Sequence, residues 1–331
     1  MIINTITVDK VEISHPVIQW LLACPEPAVQ AITLSELVGL PEDDTRLQAA
    51  RSKWLEGPWV GGLLAGQAGD GGFGVHPYQK WTGAHWRLVS LVELGAQPGE
   101  PHACAAANTV LDWLTGDEHR QRIREINGRT RRCASQEGNA LAVCCRLGMV
   151  GDPRLKYLAD SLVAWQWPDG GWNCDKNPDA RHASFYETLA PLWGLIEYQR
   201  LTGDEPARQA AWRAVEFFLR HRLFRSETTG EVINPEWLRL HYPPYWHYDI
   251  LQALLVLSRL VPLVDERMQE ALDALEALRR PDGFWRAGSY YWHPPGAKPS
   301  NVEVIDWGRG GPNPMITLNA LRVLTAAGRH E

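Results

Sequence analysis

Apolar residues recur at spacings of three and four through five stretches of this chain: 81–94, 136–147, 185–198, 246–260 and 314–326. That period predicts amphipathic helices. Each stretch starts on a polar or aromatic residue, runs into Leu and Ala, and often closes on Leu-Gly. A sixth copy, 27–39, follows the same pattern. Between these lies a second set of predicted helices: 13–23, 42–56, 103–115, 154–166, 206–222 and 267–280. The two sets alternate as six helical hairpins, with no strand-like alternation long enough to compete. Repeats of about 50 residues, none able to bury its apolar face alone, predict an open solenoid or a closed ring. Even spacing and the lack of a polar terminal cap favour closure. The expected fold is therefore all-α: a single (α/α)6 toroid of six hairpins, one domain over 1–331.

The junctions repeat as well. Gln67-Ala68-Gly69-Asp70-Gly71-Gly72-Phe73-Gly74 matches Gln166-Trp167-Pro168-Asp169-Gly170-Gly171-Trp172-Asn173, and Arg279-Arg280-Pro281-Asp282-Gly283-Phe284-Trp285 is a degenerate third copy. Each ends a helical stretch at an Asp-Gly turn, where glycine accepts the positive φ of a tight reversal. The aromatic that follows is placed to pack back over the helix end.

This unit resembles the QW motif of squalene–hopene and oxidosqualene cyclases, and the same hairpin builds the β subunits of protein prenyltransferases. The resemblance runs through the repeats over nearly the whole chain. It implies inner helices around a central cavity, with Gln67, Asp70, Gln166, Asp169 and Trp172 as structural staples. It also implies an apolar substrate of the terpenoid kind and cyclase-, isomerase- or lyase-like chemistry. The chain departs from both branches. Squalene-type cyclases protonate an alkene with an Asp-x-Asp-Asp run, and the nearest string, Pro41-Glu42-Asp43-Asp44, reads as a helix N-cap. In the prenyltransferases zinc is held by an Asp, a Cys two residues later and a His. Here Glu137-Gly138-Asn139 and Glu187 stand at those places, so oxygen donors replace the thiolate and imidazole that zinc favours.

Aligned by their Leu pattern, the inner helices put Trp86, Asn139, Glu187, Asp249 and Ile316 at one register, preceded by His85, Gly138, Tyr186, Tyr248 and Met315. Equal register predicts equal depth in the ring. Glu187 and Asp249, with Glu137 and Asn139 nearby, are the candidate catalytic groups, for carboxylate acid/base work or for Mg²⁺ or Ca²⁺. Pairing with Arg or Lys is the plainer alternative for both acids. His85, Trp86, Tyr186 and His182 join a run of rings, His241, Tyr245, Trp246, His247 and Tyr248, as candidate substrate-binding residues. Cys174 and His182 make one metal-ligand pair, which Cys133 or His247 would have to complete. No cofactor is firmly implied. The Gly-rich segment 306–313 lacks a P-loop lysine, and Asp306 and Arg309 read as a structural pair.

Composition narrows the picture further. With 45% hydrophobic and 22% charged residues and a net charge of −6, the chain reads as folded and has no basic footprint for nucleic acid. Tryptophan is in surplus, 16 against 6 Phe and 9 Tyr, which points to stapled loops, a lined cavity or both. Six cysteines without a CxxC spacing fit a reducing compartment. The first residues lack a secretory pattern, and the longest apolar stretch, 250–261, is interrupted by Gln252 and Arg259, so a cytoplasmic location is expected. Three functions stay open: an enzyme on an apolar, isoprenoid-like molecule in the central cavity, a non-catalytic binding module for a small molecule or protein, and a six-hairpin glycan hydrolase or lyase.

Overall fold

A recurring helix start in this chain is an acid or amide at the N-cap, in several cases with proline at the first turn. Glu26, Glu100, Asp152 and Asn313 each cap a helix that opens on proline, and each side chain accepts a backbone N–H of that first turn. Such a cap satisfies donors that the helix itself cannot, and proline loses nothing there. In the computed structural model, residues 11–298 and 300–329 are described.

Among these residues the protein is helical apart from one short hairpin. The first helices are α1 (Pro16–Leu22), α2 (Pro27–Ile32), which runs into a π-helical turn Thr33–Val38, α3 (Thr45–Ser52) and α4 (Pro58–Leu64). Next come α5 (Ala84–Glu93), α6 (Pro101–Thr115) and the single turn α7 (Asp117–Arg120). Strands β1 (Arg124–Ile126) and β2 (Arg129–Arg131) pair antiparallel. The chain then alternates α8 (Ser135–Arg146), α9 (Pro153–Trp165), α10 (Phe185–Thr202), α11 (Glu205–Arg220), α12 (Ile250–Leu257), α13 (Glu266–Ala277) and α14 (Pro314–Ala326). No helix among the described residues is long and apolar enough to cross a membrane.

The expected outer and inner helices are present, with three differences. The stretch 42–56 is interrupted: α3 packs on α2, while α4, starting afresh at Pro58, leads into the first turn repeat. Within the predicted stretch the α-helix ends at Ser52 and only a single tight turn, Trp54–Glu56, follows; α4 lies beyond it, with Pro58 at its first position. The last inner stretch but one begins at Ile250 and not at 246, because Asp249 caps it. The β hairpin was not expected, although its turn is Asn127-Gly128, with both residues at positive φ. Asp44 caps α3, accepting the Arg46 N–H at 2.9 Å, as its place in the acidic string suggests.

Inner helices succeed one another as neighbours: α5 on α8, α8 on α10, α10 on α12 and α12 on α14. Helix α14 packs against α2 and the π turn, where Arg322 pairs with Glu36 at 2.6 Å. One apolar core runs from Val17 in α1 to Leu324 in α14.

The turn repeats staple each hairpin to the next. Gln166 Nε2 donates to the carbonyls of Gly170 (2.7 Å) and Ala210 (2.8 Å), and its Oε1 accepts from Arg213. Gln67 does the same toward Gly71 and His102. Trp172 and Trp285 each donate an indole N–H to a carbonyl near the end of the preceding helix, Leu162 and Leu275. Each such bond contributes about 1 kcal/mol net. The Asp306–Arg309 pair does not form. Asp306 accepts the Gly308 N–H, and Arg309 lies over the Tyr290 and Trp292 rings.

Two helices approach with nothing between them. A Cβ on Gly138 in α8 would lie 2.3 Å from the Pro191 nitrogen of α10, and one on Gly194 would lie 2.5 Å from the Gly138 carbonyl oxygen. Backbone, not a flexible side chain, occupies that space. Gly138→Ala is therefore expected to cost about 3 kcal/mol or more, the upper range of overpacking. A urea titration of both proteins checks this, and an unchanged midpoint would contradict the close approach.

Candidate functional site

Between α5, α8, α10 and α12 lies a cavity of about 50 Å³, room for about four waters. Its walls are Val89, Leu189, Ala190, Trp193, Leu255 and Val256, together with the segment Pro244–Tyr248 that precedes α12. Asn139 and Tyr186 face it from α8 and α10. Of the predicted substrate-binding rings, Tyr186, Tyr245, Trp246, His247 and Tyr248 do line it.

The covering segment is held by stacking. His247 lies between Trp246 (3.9 Å between centroids) and Tyr291 (3.4 Å). Tyr245 stacks on Trp81 at 3.7 Å, and its hydroxyl donates to Glu303. Lys80 sits 4.9 Å over the Trp246 ring. Burial holds the His247 imidazole down to about 3, so it is neutral. Asn139, Trp246 and His247 each carry one buried polar atom without a hydrogen-bond partner: Nδ2, Nε1 and Nδ1. At the far end Arg259 pairs with Glu93 at 3.3 Å and Glu197 at 3.2 Å.

The carboxylates expected to face one another do not. Asp249 is fully buried: one oxygen accepts the Gln252 N–H at 2.8 Å, and the other accepts the His241 N–H at 2.9 Å and lies 2.8 Å from its Nδ1. It is the cap of α12 and the partner of His241, so neither residue reaches the cavity. Glu137 is held through one oxygen, by His119 (2.9 Å) and Arg132 (2.8 Å), while its other oxygen is buried without a partner. Burial works against its charge, but His119 and Arg132 together bring it below the ordinary carboxylate value. His85 is a core residue against Tyr78 and Trp86, kept neutral by burial, with its pKa near 3. Trp86 is buried too, donating to the Tyr78 carbonyl at 3.3 Å. His182 is exposed and contributes only its carbonyl, to Asn173. Equal register in sequence did not become equal depth, because α12 starts at its cap and the chain before it folds over as a cover.

Glu187 stands elsewhere, in a cluster of its own. One oxygen accepts the Ser135 N–H at 3.0 Å, and the other lies 3.6 Å from Cys174 Sγ. Cys133 completes the group, all three ligand atoms lying within 4.8 Å of one another. Burial raises the Glu187 pKa against the Ser135 bond, while a hydrogen bond from Cys133 lowers that of Cys174. The candidate pair Cys174 and His182 is thus replaced by Cys174 and Cys133, the residue noted as able to complete it. Sequence spacing carries no direct sign of the pairing, since the two cysteines precede different inner helices.

Glu303, outside every sequence-based expectation, holds the cover shut through Tyr245. Burial pushes its pKa up to about 7, against the Val304 N–H and Arg87. A raised carboxylate favours its neutral form in the folded chain. Its contribution is complete below the ordinary value of 4.5 and fades as pH rises through 7. The stability difference between the wild type and Glu303→Gln is expected to shift by about 3 kcal/mol across that window, the wild type losing more. Denaturant titrations at several pH values check this, and parallel curves would contradict it.

No family model matches the chain, and no curated protein does. A solved structure described as that of a protein from Actinoplanes shares 18% identity over 92% of this chain and 89% of its own, with a TM-score of 0.40. A likeness that loose carries no argument.

Proposed function

We propose that the chain is a single (α/α)6 toroid that binds a small, neutral, mostly apolar molecule of isoprenoid character in the central cavity and acts on it through an oxygen that the molecule carries. The observation behind this reading is that Asn139, Trp246 and His247, three residues of the cavity lining, each carry a buried polar atom without a partner: Asn139 Nδ2, Trp246 Nε1 and His247 Nδ1. A buried donor without a partner costs about 1–3 kcal/mol, and a ligand oxygen relieves that cost. Neutral donors fixed around an oxygen also stabilise negative charge developing on it, the logic of an oxyanion hole. This chemistry replaces the carboxylate acid/base pair first expected, whose members are held by other partners.

The aliphatic wall supports an apolar body for the ligand. A molecule of more than a few heavy atoms exceeds about 50 Å³, so the Pro244–Tyr248 cover has to lift, releasing the Tyr245–Glu303 latch. The glycan reading loses its support, because its paired carboxylates are committed and the tryptophans Trp81, Trp172, Trp285, Trp292 and Trp307 are buried rather than set out as platforms.

Short isoprenoid alcohols and ketones, each beside its oxygen-free hydrocarbon, form the test panel. The oxygenated members are expected to raise the melting temperature and quench Trp246 fluorescence, and Asn139→Leu is expected to weaken them about tenfold, one hydrogen bond's worth. Equal binding of the hydrocarbons, or an unaffected Asn139→Leu, overturns the reading. Binding without conversion, followed by gas chromatography, shifts it to the binding-module alternative.

A further inference from the structure

The Cys133, Cys174 and Glu187 cluster lies outside the cavity wall, and the reading of the cavity makes no use of it. We propose that these three side chains form a binding site for one thiophilic divalent cation, best fitted by zinc, with its fourth position open. The inference stands apart from the cavity reading and survives its failure.

Geometry carries the argument. Cys174 Sγ and Glu187 Oε1 lie 3.6 Å apart. In a tetrahedral zinc site with Zn–S near 2.3 Å and Zn–O near 2.1 Å, the sulfur–oxygen edge is about 3.6 Å and the sulfur–sulfur edge about 3.8 Å. The first edge is already present. The whole set lies within 4.8 Å, so the remaining edges close with a side-chain movement of about 1 Å or less.

The backbone pins the three segments together before any ion arrives. Arg132, next to Cys133, donates its N–H to the Asn173 carbonyl, next to Cys174, at 3.2 Å. The Ser184 N–H donates to the Trp172 carbonyl at 2.8 Å, and Asn173 Nδ2 donates to the His182 carbonyl at 2.8 Å, tying the Cys174 loop to the start of α10. Ser135, two residues after Cys133, orients the second oxygen of Glu187. Such bonds to the flanks of a ligand set fix its geometry and tune its affinity.

Ligand chemistry selects the ion. Two thiolates with one carboxylate suit zinc and disfavour Mg²⁺ and Ca²⁺, which take oxygen donors. All three residues are half-buried. Among the described residues no fourth His, Cys, Asp or Glu joins them. Three protein ligands and an open place are the pattern of a zinc that takes water or a substrate atom, whereas structural sites are closed by four.

Cobalt(II) titration of chelator-treated protein with its thiols reduced tests the proposal. One equivalent is expected to give the sulfur-to-metal absorption of tetrahedral cobalt, which zinc then displaces. Cys133→Ser and Cys174→Ser are each expected to weaken binding by more than about 100-fold, beyond the loss typical of an outer-sphere partner. Cys104→Ser, outside the cluster, is expected to leave it unchanged. On the wild type alone, zinc is expected to slow alkylation of Cys133 and Cys174 at least about tenfold, since the bound thiolate is withdrawn from reaction, and not that of Cys104. The proposal is overturned if the reduced protein shows no sulfur-to-metal band, if the band persists in the double variant, or if zinc leaves alkylation unchanged.

Discussion

The approach of α8 to α10 sets the geometry on which the middle of this protein depends. Gly138 and Gly194 leave no side chain between the helices, and Pro191 lies inside α10 directly against Gly138. Helices in backbone contact have little freedom to slide, since any shift brings main-chain atoms into overlap. Everything of chemical interest hangs from this contact. Below it, Asn139 and Ala190 turn onto the cavity. Above it, Ser135 of α8 reaches Glu187 of α10. A single rigid crossing therefore indexes the cavity and the cysteine cluster to each other.

Around that crossing the tryptophan surplus divides by task. Trp172 and Trp285 close helix ends with their indole N–H groups, and the glutamine beside the first carries the tie onward to the following helix. Trp81 and Trp292 bond the carbonyls of Tyr291 and Tyr242, locking the loops that frame the cover. Trp246 alone among these has an unpartnered N–H on the cavity wall. An indole whose donor is satisfied is a structural element. One whose donor is buried and unpaired is costly unless something meets it. Trp307 also has a buried unpartnered N–H but lies away from the cavity lining, so Trp246 is singled out by the two features together.

Much of the fold was legible because helical periodicity, caps and Asp-Gly turns are local signals. The alternating hairpins and the capping role of Asp44 follow from them, while the stapling role of Gln67, Gln166 and Trp172 was an implication of the resemblance. The site was less legible, for a specific reason. Aligning helices by their apolar pattern assumes that they begin alike, yet Asp249 starts α12 as its cap while Glu187 lies within the first turn of α10. A difference of a few positions turns one acid into the core and the other toward two cysteines. Of the ring-rich segment 241–248, residues 244–248 line the cavity, but its first member, His241, serves Asp249 and not the cavity. Meeting of Cys133 with Cys174 depends on the Arg132–Asn173 backbone bond, a tertiary fact with no local trace.

Charge at the cavity's far end argues for the kind of ligand it accepts. Arg259 is buried, and desolvation lowers its pKa, with Glu93 and Glu197 acting to keep it charged. Arg146 at 3.5 Å and Arg200 at 3.7 Å also meet Glu197, so three guanidiniums share the two acids Glu93 and Glu197 at that end. A phosphate or carboxylate entering there would have to displace an existing acid from its partner, and breaking a buried pair costs about 3–5 kcal/mol. The opposite wall offers neutral donors, Asn139 and Trp246, beside an imidazole held uncharged by its surroundings. Neutral donors in an apolar enclosure compensate an uncharged oxygen well and a full charge poorly. On the proposed reading, the wall of neutral donors therefore suits an uncharged oxygen on an apolar frame better than an ionised headgroup.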